Sequence, residues 1–345
     1  MQLLRSVLKP TLKPGQVDRY RPTLENLSKH IEDHQGQIAR LIIYPLKSIG
    51  GFDVDKADLT PTGLGTHSGF HDRAAMIVRE TKHGLERFSQ RQEPLLAQIK
   101  TRLLSEELLE LQNASGDSVQ LSSSAFCYRG GETTTAEMYK DILITGVLED
   151  NSGPITRFIR NHLASLDTYT TEELKNIRIL HGSNKVQRDV PITHSGGIPS
   201  HTNFADVGQH LLINRATVRD YLDRHIHPNV SEEAYRPNIV IEGWPENLED
   251  LIAFMKIIRK DIEDLYLYCG VPSTRCAVTM VDQETGTKRR DGEPLKSLMH
   301  LRPLHDGQPT MGINVSHAWG AQYREIHVGD LIVPVAEKMI DEENT

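Results

Sequence analysis

The chain reads as an α+β, β-rich protein with an N-terminal β-rich domain and a C-terminal β-barrel domain. Three observations predict this. At 345 residues it exceeds the roughly 250–300 residues at which a single core stops growing, so about two domains are expected. Its first half runs as short β-rich segments, "IARLIIYPLKS", "FDVDKADLT" and "AAMIVRET", separated by Gly-Gly or Gly/His loops. Its C-terminal region places "TRCAVTMVD", a turn at "QETG" and a final strand "EIHVGDLIVPV" at the spacing of a small closed barrel or sandwich.

Residues 1–36 form a charged, proline-punctuated extension in which "PTLENLSKHIEDH" can make one amphipathic helix through Leu24, Leu27 and Ile31. Residues 37–185 make up the first domain, with hairpin-like turns at "KHG" and "ASGD". Within it, "NSGPITRFIRNHLASL" is the clearest helix. Pro154 suits its first turn, and Ile155, Phe158, Ile159, His162, Leu163 and Leu166 recur on one face as core packing. The polar stretch "HGSNKVQRDVPITHSGGIPSHTN" is too long for an ordinary connection, so it reads as a domain boundary, an active-site loop, or both. Residues 186–345 make up the second domain, where "HLLIN" reads as a strand, "RATVRDYLDRH" as a helix and "RPNIVIEG" as a strand. In "NLEDLIAFMKIIRKDIEDLYLY" the period does not decide between helix and strands.

A formal net charge of −8 leaves no general basic field for a phosphate backbone, so nucleic acid is not an expected partner. Three cysteines fit a reducing compartment better than a disulfide framework, and the cytoplasm is the expected location. "MQLLRSVLKPTLKPG" is basic and free of acids, a faint mitochondrial alternative, but Pro10 and Pro14 break any helix early. No apolar run approaches the roughly 20 residues of a transmembrane segment.

Chemistry centres on Cys276, which follows Arg275 and precedes an expected alternating strand. A lone cysteine is more often a small buried hydrophobe than a nucleophile. A neighbouring arginine, however, favours the thiolate, the form that attacks electrophiles and binds soft metals. Ser273 stands three positions before it and Cys269 lies too far back, so a structural zinc hairpin is disfavoured. The histidines at His225 and His227, and His194 and His201 in the polar loop, match no zinc signature and read as surface or loop residues. His194, His201 and Asn203 are also placed to border a cleft where the two domains meet.

In order, "YPLKS", "HDR", "RPNIVIEG", "TRCAVTMVD", "EPLKSL" and "VGD" resemble the MOSC-domain family of molybdenum-cofactor proteins, nearest to its amidoxime-reducing components and bacterial N-hydroxylated-base reductases. The resemblance runs from Gln37 to Val335 and implies an N-terminal MOSC-type domain ahead of the MOSC domain. It implies a molybdenum cofactor whose metal is held by a pyranopterin dithiolene and by the sulfur of Cys276. Lys47, Ser48, Arg73 and Arg91 match cofactor-binding positions, with Ser89 standing where a threonine is common.

Asn214 and Thr217 match hydroxyl-bearing positions at a helix start, although Asn214 is also a good N-cap in its own right. Arg236 and Asn238 would share one side of a strand, the first forking onto phosphate and the second meeting pterin edges. Arg73 has the plainer reading of an ion pair near Asp72. The implied activity is reduction of N-hydroxylated substrates such as amidoximes. Three cysteines cannot build a four-thiolate cluster, so electrons would come from a separate haem- or flavin-type protein. The alternatives are a carrier or sensor of the same cofactor without turnover and, further off, a thiol enzyme pairing Cys276 with a histidine base. At the level of the domain alone the resemblance also carries pyridoxal phosphate binding, to which no residue is assigned.

Overall fold

Strands rich in Ile, Leu and Val close on themselves twice. In a computed structural model, which describes residues 31–126, 133–139, 142–182, 188–219, 230–260, 263–302 and 307–337, seven strands form a closed barrel. Around the ring they run Ile239–Glu242, His210–Asn214, Thr310–His317, Leu265–Thr274, Ile252–Ile258, Leu331–Glu337 and Gly36–Ile43, which pairs back onto Ile239–Glu242. Only His210–Asn214 and Ile239–Glu242 run parallel among these neighbours. Closure removes the free edges that would otherwise expose unpaired backbone groups. Ile38, Leu41, Leu212, Ile241, Met255, Leu267, Cys269, Ile313 and Ile332 belong to one continuous core. Cys269 is fully buried there, so its sulfur serves as a small hydrophobe.

A second ring is built from Ala75–Thr81, Gly84–Arg87, Thr133–Tyr139, Ile142–Leu148 and Ile177–His181, the last pairing back onto the first. The short strand Leu46–Lys47 lies parallel on Ala75–Thr81. The helix Pro154–Ala164 stands where the apolar stripe predicts it, with Pro154 at its start and Ile155, Phe158, Ile159, His162 and Leu163 buried. Its first turn is closed by the carboxylate of Glu149, which accepts from the Thr156 N–H at 2.7 Å. A negative group there complements the unpaired amides and the helix dipole. Gly153 leaves room for this, because a Cβ on it would come within 2.3 Å of the Glu149 carboxyl carbon.

The chain passes from barrel to second ring at Tyr44-Pro45, between Gly36–Ile43 and Leu46–Lys47. One barrel strand therefore comes from the N-terminal region and the other six follow residue 209. The stretch whose period was undecided contains a short helix, Leu248–Leu251, then the strands Ile252–Ile258 and Leu265–Thr274. "EIHVGDLIVPV", expected as one strand, is two: Glu325–His327 and Leu331–Glu337. The break has a cause in the residues. Gly329 adopts φ +89°, and the Asp330 carboxylate accepts the His327 N–H at 2.8 Å, which closes the turn. Ile31 is buried at the edge of the core in a single 3-10 turn, Ile31–Asp33. Leu24 and Leu27, the basic segment at residues 1–15, and the histidines at 225 and 227 lie outside the described residues. No helix among the described residues is long and apolar enough to cross a membrane.

Gly312 sits in the barrel strand Thr310–His317 at φ +72°, and a Cβ there would lie 2.5 Å from the Leu212 carbonyl oxygen. Left-handed strain and a backbone clash act together in Gly312→Ala, which is expected to cost more than about 2 kcal/mol. Urea unfolding checks this, and an unchanged midpoint would contradict it.

Candidate functional site

Between the two rings lies a cavity of about 370 Å³, within the size range of small-molecule sites. Six cationic side chains line it: Lys47, Arg73, Arg87, Arg91, Arg236 and Arg275. The single carboxylate among the described lining residues is Asp206. In a protein of net charge −8 this is a concentrated local reversal of sign, and clefts of one sign with low-dielectric walls focus their field on a ligand of the other.

The backbone reaches this arrangement through conformations that side chains rarely adopt. Ser48, Arg73 and Arg236 have φ of 84°, 47° and 55°, each costing on the order of 1–3 kcal/mol unless the surroundings fix it. The surroundings do. The Arg73 N–H donates to the Tyr44 carbonyl at 2.6 Å, the Ser48 carbonyl accepts from Gln90 Nε2 at 3.0 Å, and the Arg236 N–H closes a 3-10 turn onto Glu233 at 3.0 Å. Tyr44 is a common shelf. The Arg73 and Arg236 guanidinium carbons lie 4.8 and 4.4 Å from its ring centroid, where the face of the ring attracts a cation.

The charges are secured unequally. Burial opposes the charge on Arg73, but Asp72, bonded to its Nη1, outweighs that and raises the pKa. Arg73 also donates to Asn238 Oδ1 and the Arg236 carbonyl, both at 3.1 Å. Burial pulls the Lys47 ammonium down to about 8, resisted by Asp206, to which it is ion-paired; it also donates to the Phe204 carbonyl at 2.8 Å. Burial brings Arg236 down to about 10. Its Nη1 donates to the Ile49 carbonyl at 2.7 Å, while its Nη2 is buried without a partner among the described residues. A buried cationic donor left open is costly, and an anion in the cavity satisfies it.

Cys276 lines the same cavity, half-buried. Its backbone setting differs from the expected one. The strand Leu265–Thr274 ends before it, and Ala277–Met280 is a 3-10 turn with Cys276 at its N-cap. The turn is closed by the Thr279 N–H and hydroxyl, which both donate to the Cys276 carbonyl, at 3.0 and 2.9 Å. The thiol therefore stands at the rim of the barrel where the chain leaves the sheet. Arg275 donates to the Tyr235 carbonyl at 3.0 Å and the Ser273 carbonyl at 3.2 Å; burial lowers its pKa, opposed first by the charge of Cys276.

The cavity thus gathers Lys47, Ser48, Arg73, Arg91, Arg236, Asn238 and Cys276 from the residues singled out in the sequence. Arg236 and Asn238 come together by a different route from the one expected. Arg236 ends a 3-10 turn, and the strand begins only at Ile239. The predicted Asp72 partner of Arg73 is real, but it is buried behind the cavity lining rather than on a solvated loop.

Asn214 and Thr217 are not among the lining residues. Both are fully buried and donate to Glu249 Oε2, Asn214 through Nδ2 at 3.2 Å and Thr217 through Oγ1 at 2.9 Å. Asn214 also accepts the Ala216 N–H at 3.2 Å, the capping role its residue type suggested. His194, His201 and Asn203 are likewise absent from the lining. His201 pairs with Asp189 and Asn203 donates to Thr62. The segment just after the polar loop, residues 205–208, reaches the cavity instead. Arg87, Asp206, His210, Tyr235 and Asn314 also line it and carry no motif in the sequence.

Residues 35–146 match the MOSC N-terminal beta barrel domain and residues 199–333 the MOSC domain. The chain belongs to the MOSC-domain family. It is similar to the molybdenum cofactor sulfurase of Arabidopsis thaliana, 26% identical over 282 residues that cover 76% of this chain and 31% of that protein. It is 25% identical to the mitochondrial amidoxime-reducing component 1 of Mus musculus, over 292 residues covering 77% and 72% of the two chains. The human protein of that name is 25% identical over 280 residues, covering 77% and 72%. The chain spans about a third of the length of the sulfurases it matches. Among solved structures, the YUAD protein from Bacillus subtilis aligns with 86% of this chain and 94% of its own at 10% identity and a TM-score of 0.34.

The buried Glu249 has a pH consequence. Burial, with Asp250 adding to it, raises its carboxyl to about 7. A raised folded-state pKa stabilises below the unfolded value and is lost as pH rises through the folded one, here from about 4.5 to 7. Glu249→Gln should therefore be less sensitive to pH over this window, by on the order of 1–3 kcal/mol. Unfolding curves at several pH values test it, and parallel profiles for the two proteins would contradict it.

Proposed function

We propose that this protein binds a molybdenum cofactor in the cavity and reduces N-hydroxylated substrates such as amidoximes and N-hydroxy bases. The observation that carries the reading is the joint presence, on one cavity wall, of a half-buried thiol and a buried arginine with an open donor. The residues fit the group. A phosphate-bearing ligand suits Arg236, whose buried Nη2 has no partner among the described residues, with the charges of Arg73 and Lys47 beside it, and a polarizable sulfur at Cys276 suits molybdenum. Asn238, held by Arg73 and donating to the Ile42 carbonyl at 3.2 Å, presents its amide beside them. When bound, the cofactor supplies the two-electron chemistry by which an N-hydroxyl oxygen is removed.

The protein's own part is placement and charge. Tyr44 and the backbone carbonyls at Ile49 and Arg236 hold the two guanidinium groups still, so little reorganisation is required when an anion arrives. The overall conversion consumes two electrons and two protons per N–OH and releases water. The electrons come from a separate haem- or flavin-type protein. The amidoxime-reducing relatives support this reading through their names and their 72% coverage. A carrier of the cofactor without turnover is the second reading, favoured by the match to a part of the sulfurases.

The deciding preparation is protein purified from a host that makes the cofactor, with molybdenum measured per chain and N-hydroxy reduction assayed with an artificial electron donor. Reduction together with bound metal supports the reductase, and bound metal without reduction supports the carrier. Cys276→Ala is expected to abolish reduction and lower molybdenum content while leaving the far-ultraviolet circular dichroism unchanged. Wild-type turnover in that variant would refute the assignment. Arg236→Ala removes a charge-assisted contact of about 1.5–3 kcal/mol, so it should weaken cofactor retention by roughly tenfold or more. Equal retention through gel filtration would count against its role.

A further inference from the structure

One feature of the cavity wall is unused by cofactor placement. The strands His210–Asn214 and Thr310–His317 pair antiparallel, with His210 at the start of one and His317 at the end of the other. Their imidazoles meet, His210 Nε2 lying 3.0 Å from His317 Nδ1 with ring centroids 5.2 Å apart. His210 lines the cavity and His317 lies behind it. Both are buried, at 1% and 2% exposure, and their outer nitrogens, His210 Nδ1 and His317 Nε2, have no partner among the described residues. Four ring nitrogens therefore stand in series, with one hydrogen bond in the middle and, at each end, a buried nitrogen without a partner among the described residues.

We propose that His210 and His317 form a proton relay that supplies the cavity, a proposal resting on the reductase reading because N-hydroxyl reduction consumes protons. The rest of the wall makes poor proton sources. Its arginines do not release protons, and Lys47 is held by Asp206 and the Phe204 carbonyl. Burial, with His317 and Arg73 adding repulsion, keeps His210 well below its ordinary value, and burial alone takes His317 to about 4. Each ring is then neutral at pH 7, with about one His317 in a thousand protonated, and one ring donates to the other. A hydronium ion gives its proton to His317 Nε2 and becomes water, the His317 Nδ1 proton passes to His210 Nε2, and the His210 Nδ1 proton passes to a water or substrate oxygen in the cavity. Two N–H bonds form and two break, and no charge stays on either ring. Each pass leaves both rings in the opposite tautomer, and rotation of the rings restores the first arrangement before the next.

His317→Gln is the informative variant, since an amide keeps a hydrogen-bonding group beside His210 but cannot pass a proton on. The relay predicts a fall in kcat of at least about tenfold, an unchanged KM and molybdenum content, and a larger solvent deuterium isotope effect. A kcat and isotope effect equal to wild type would overturn it. A readout without turnover separates the relay from the function. Nitrogen-15 NMR of histidine-labelled wild-type protein should give two neutral imidazoles at pH 7, a scalar coupling across their shared hydrogen bond, and exchange of that proton with solvent within milliseconds. Two uncoupled, separately titrating rings, or a shared proton locked for seconds, would overturn the relay. Wild-type protein that holds molybdenum and reduces nothing would sink the reductase reading alone, leaving the relay to be judged by that exchange.

Discussion

A surplus of positive charge, drawn into a half-enclosed space, is the constraint around which this protein is organised. Six cationic side chains share a cavity with one carboxylate, and burial depresses Lys47, Arg236 and Arg275. Desolvated like charges repel and lose hydration. The arrangement persists because Arg73, Arg236 and Arg275 each donate to a backbone carbonyl, and the first two also lie over an aromatic ring. What stays without a partner among the described residues is the Arg236 Nη2 donor, and a preorganised donor binds or stabilises negative charge without rearranging.

Two closed rings of strands make that preorganisation affordable. The chain crosses between them at Tyr44-Pro45, and the crossing supplies the ring on which Arg73 and Arg236 rest and the carbonyl that holds Arg73 in its left-handed conformation. Three of the six described non-glycine residues with positive φ belong to the cavity, a concentration expected where function rather than stability sets the backbone. At the rim, Cys276 and Arg236 sit at the ends of elements rather than within them.

The strand-rich architecture was legible in the sequence because alternation and turn residues act locally: "HLLIN", the Pro154 helix and the "QETG" turn all stand where short-range chemistry places them. The rim was less legible. An alternating strand was expected directly after Cys276, yet the hydroxyl and amide of Thr279 turn the chain onto the Cys276 carbonyl instead. Asn214 and Thr217 carried the right residue types for a ligand but are claimed by the buried Glu249, a partner 35 and 32 positions away that no local pattern announces. Arg87 and His210 reach the cavity only through strand pairing, and pairing across long separations is what a single sequence reveals least.

The central claim is that the open donors and the thiol face one bound group. Crystals of protein made in a cofactor-producing host, measured by anomalous diffraction across the molybdenum absorption edge, test it most directly. The account predicts a single strong peak inside the cavity, within bonding distance of the Cys276 sulfur, with phosphate density against Arg236. A peak elsewhere, or a cavity holding only solvent in fully loaded protein, would contradict it.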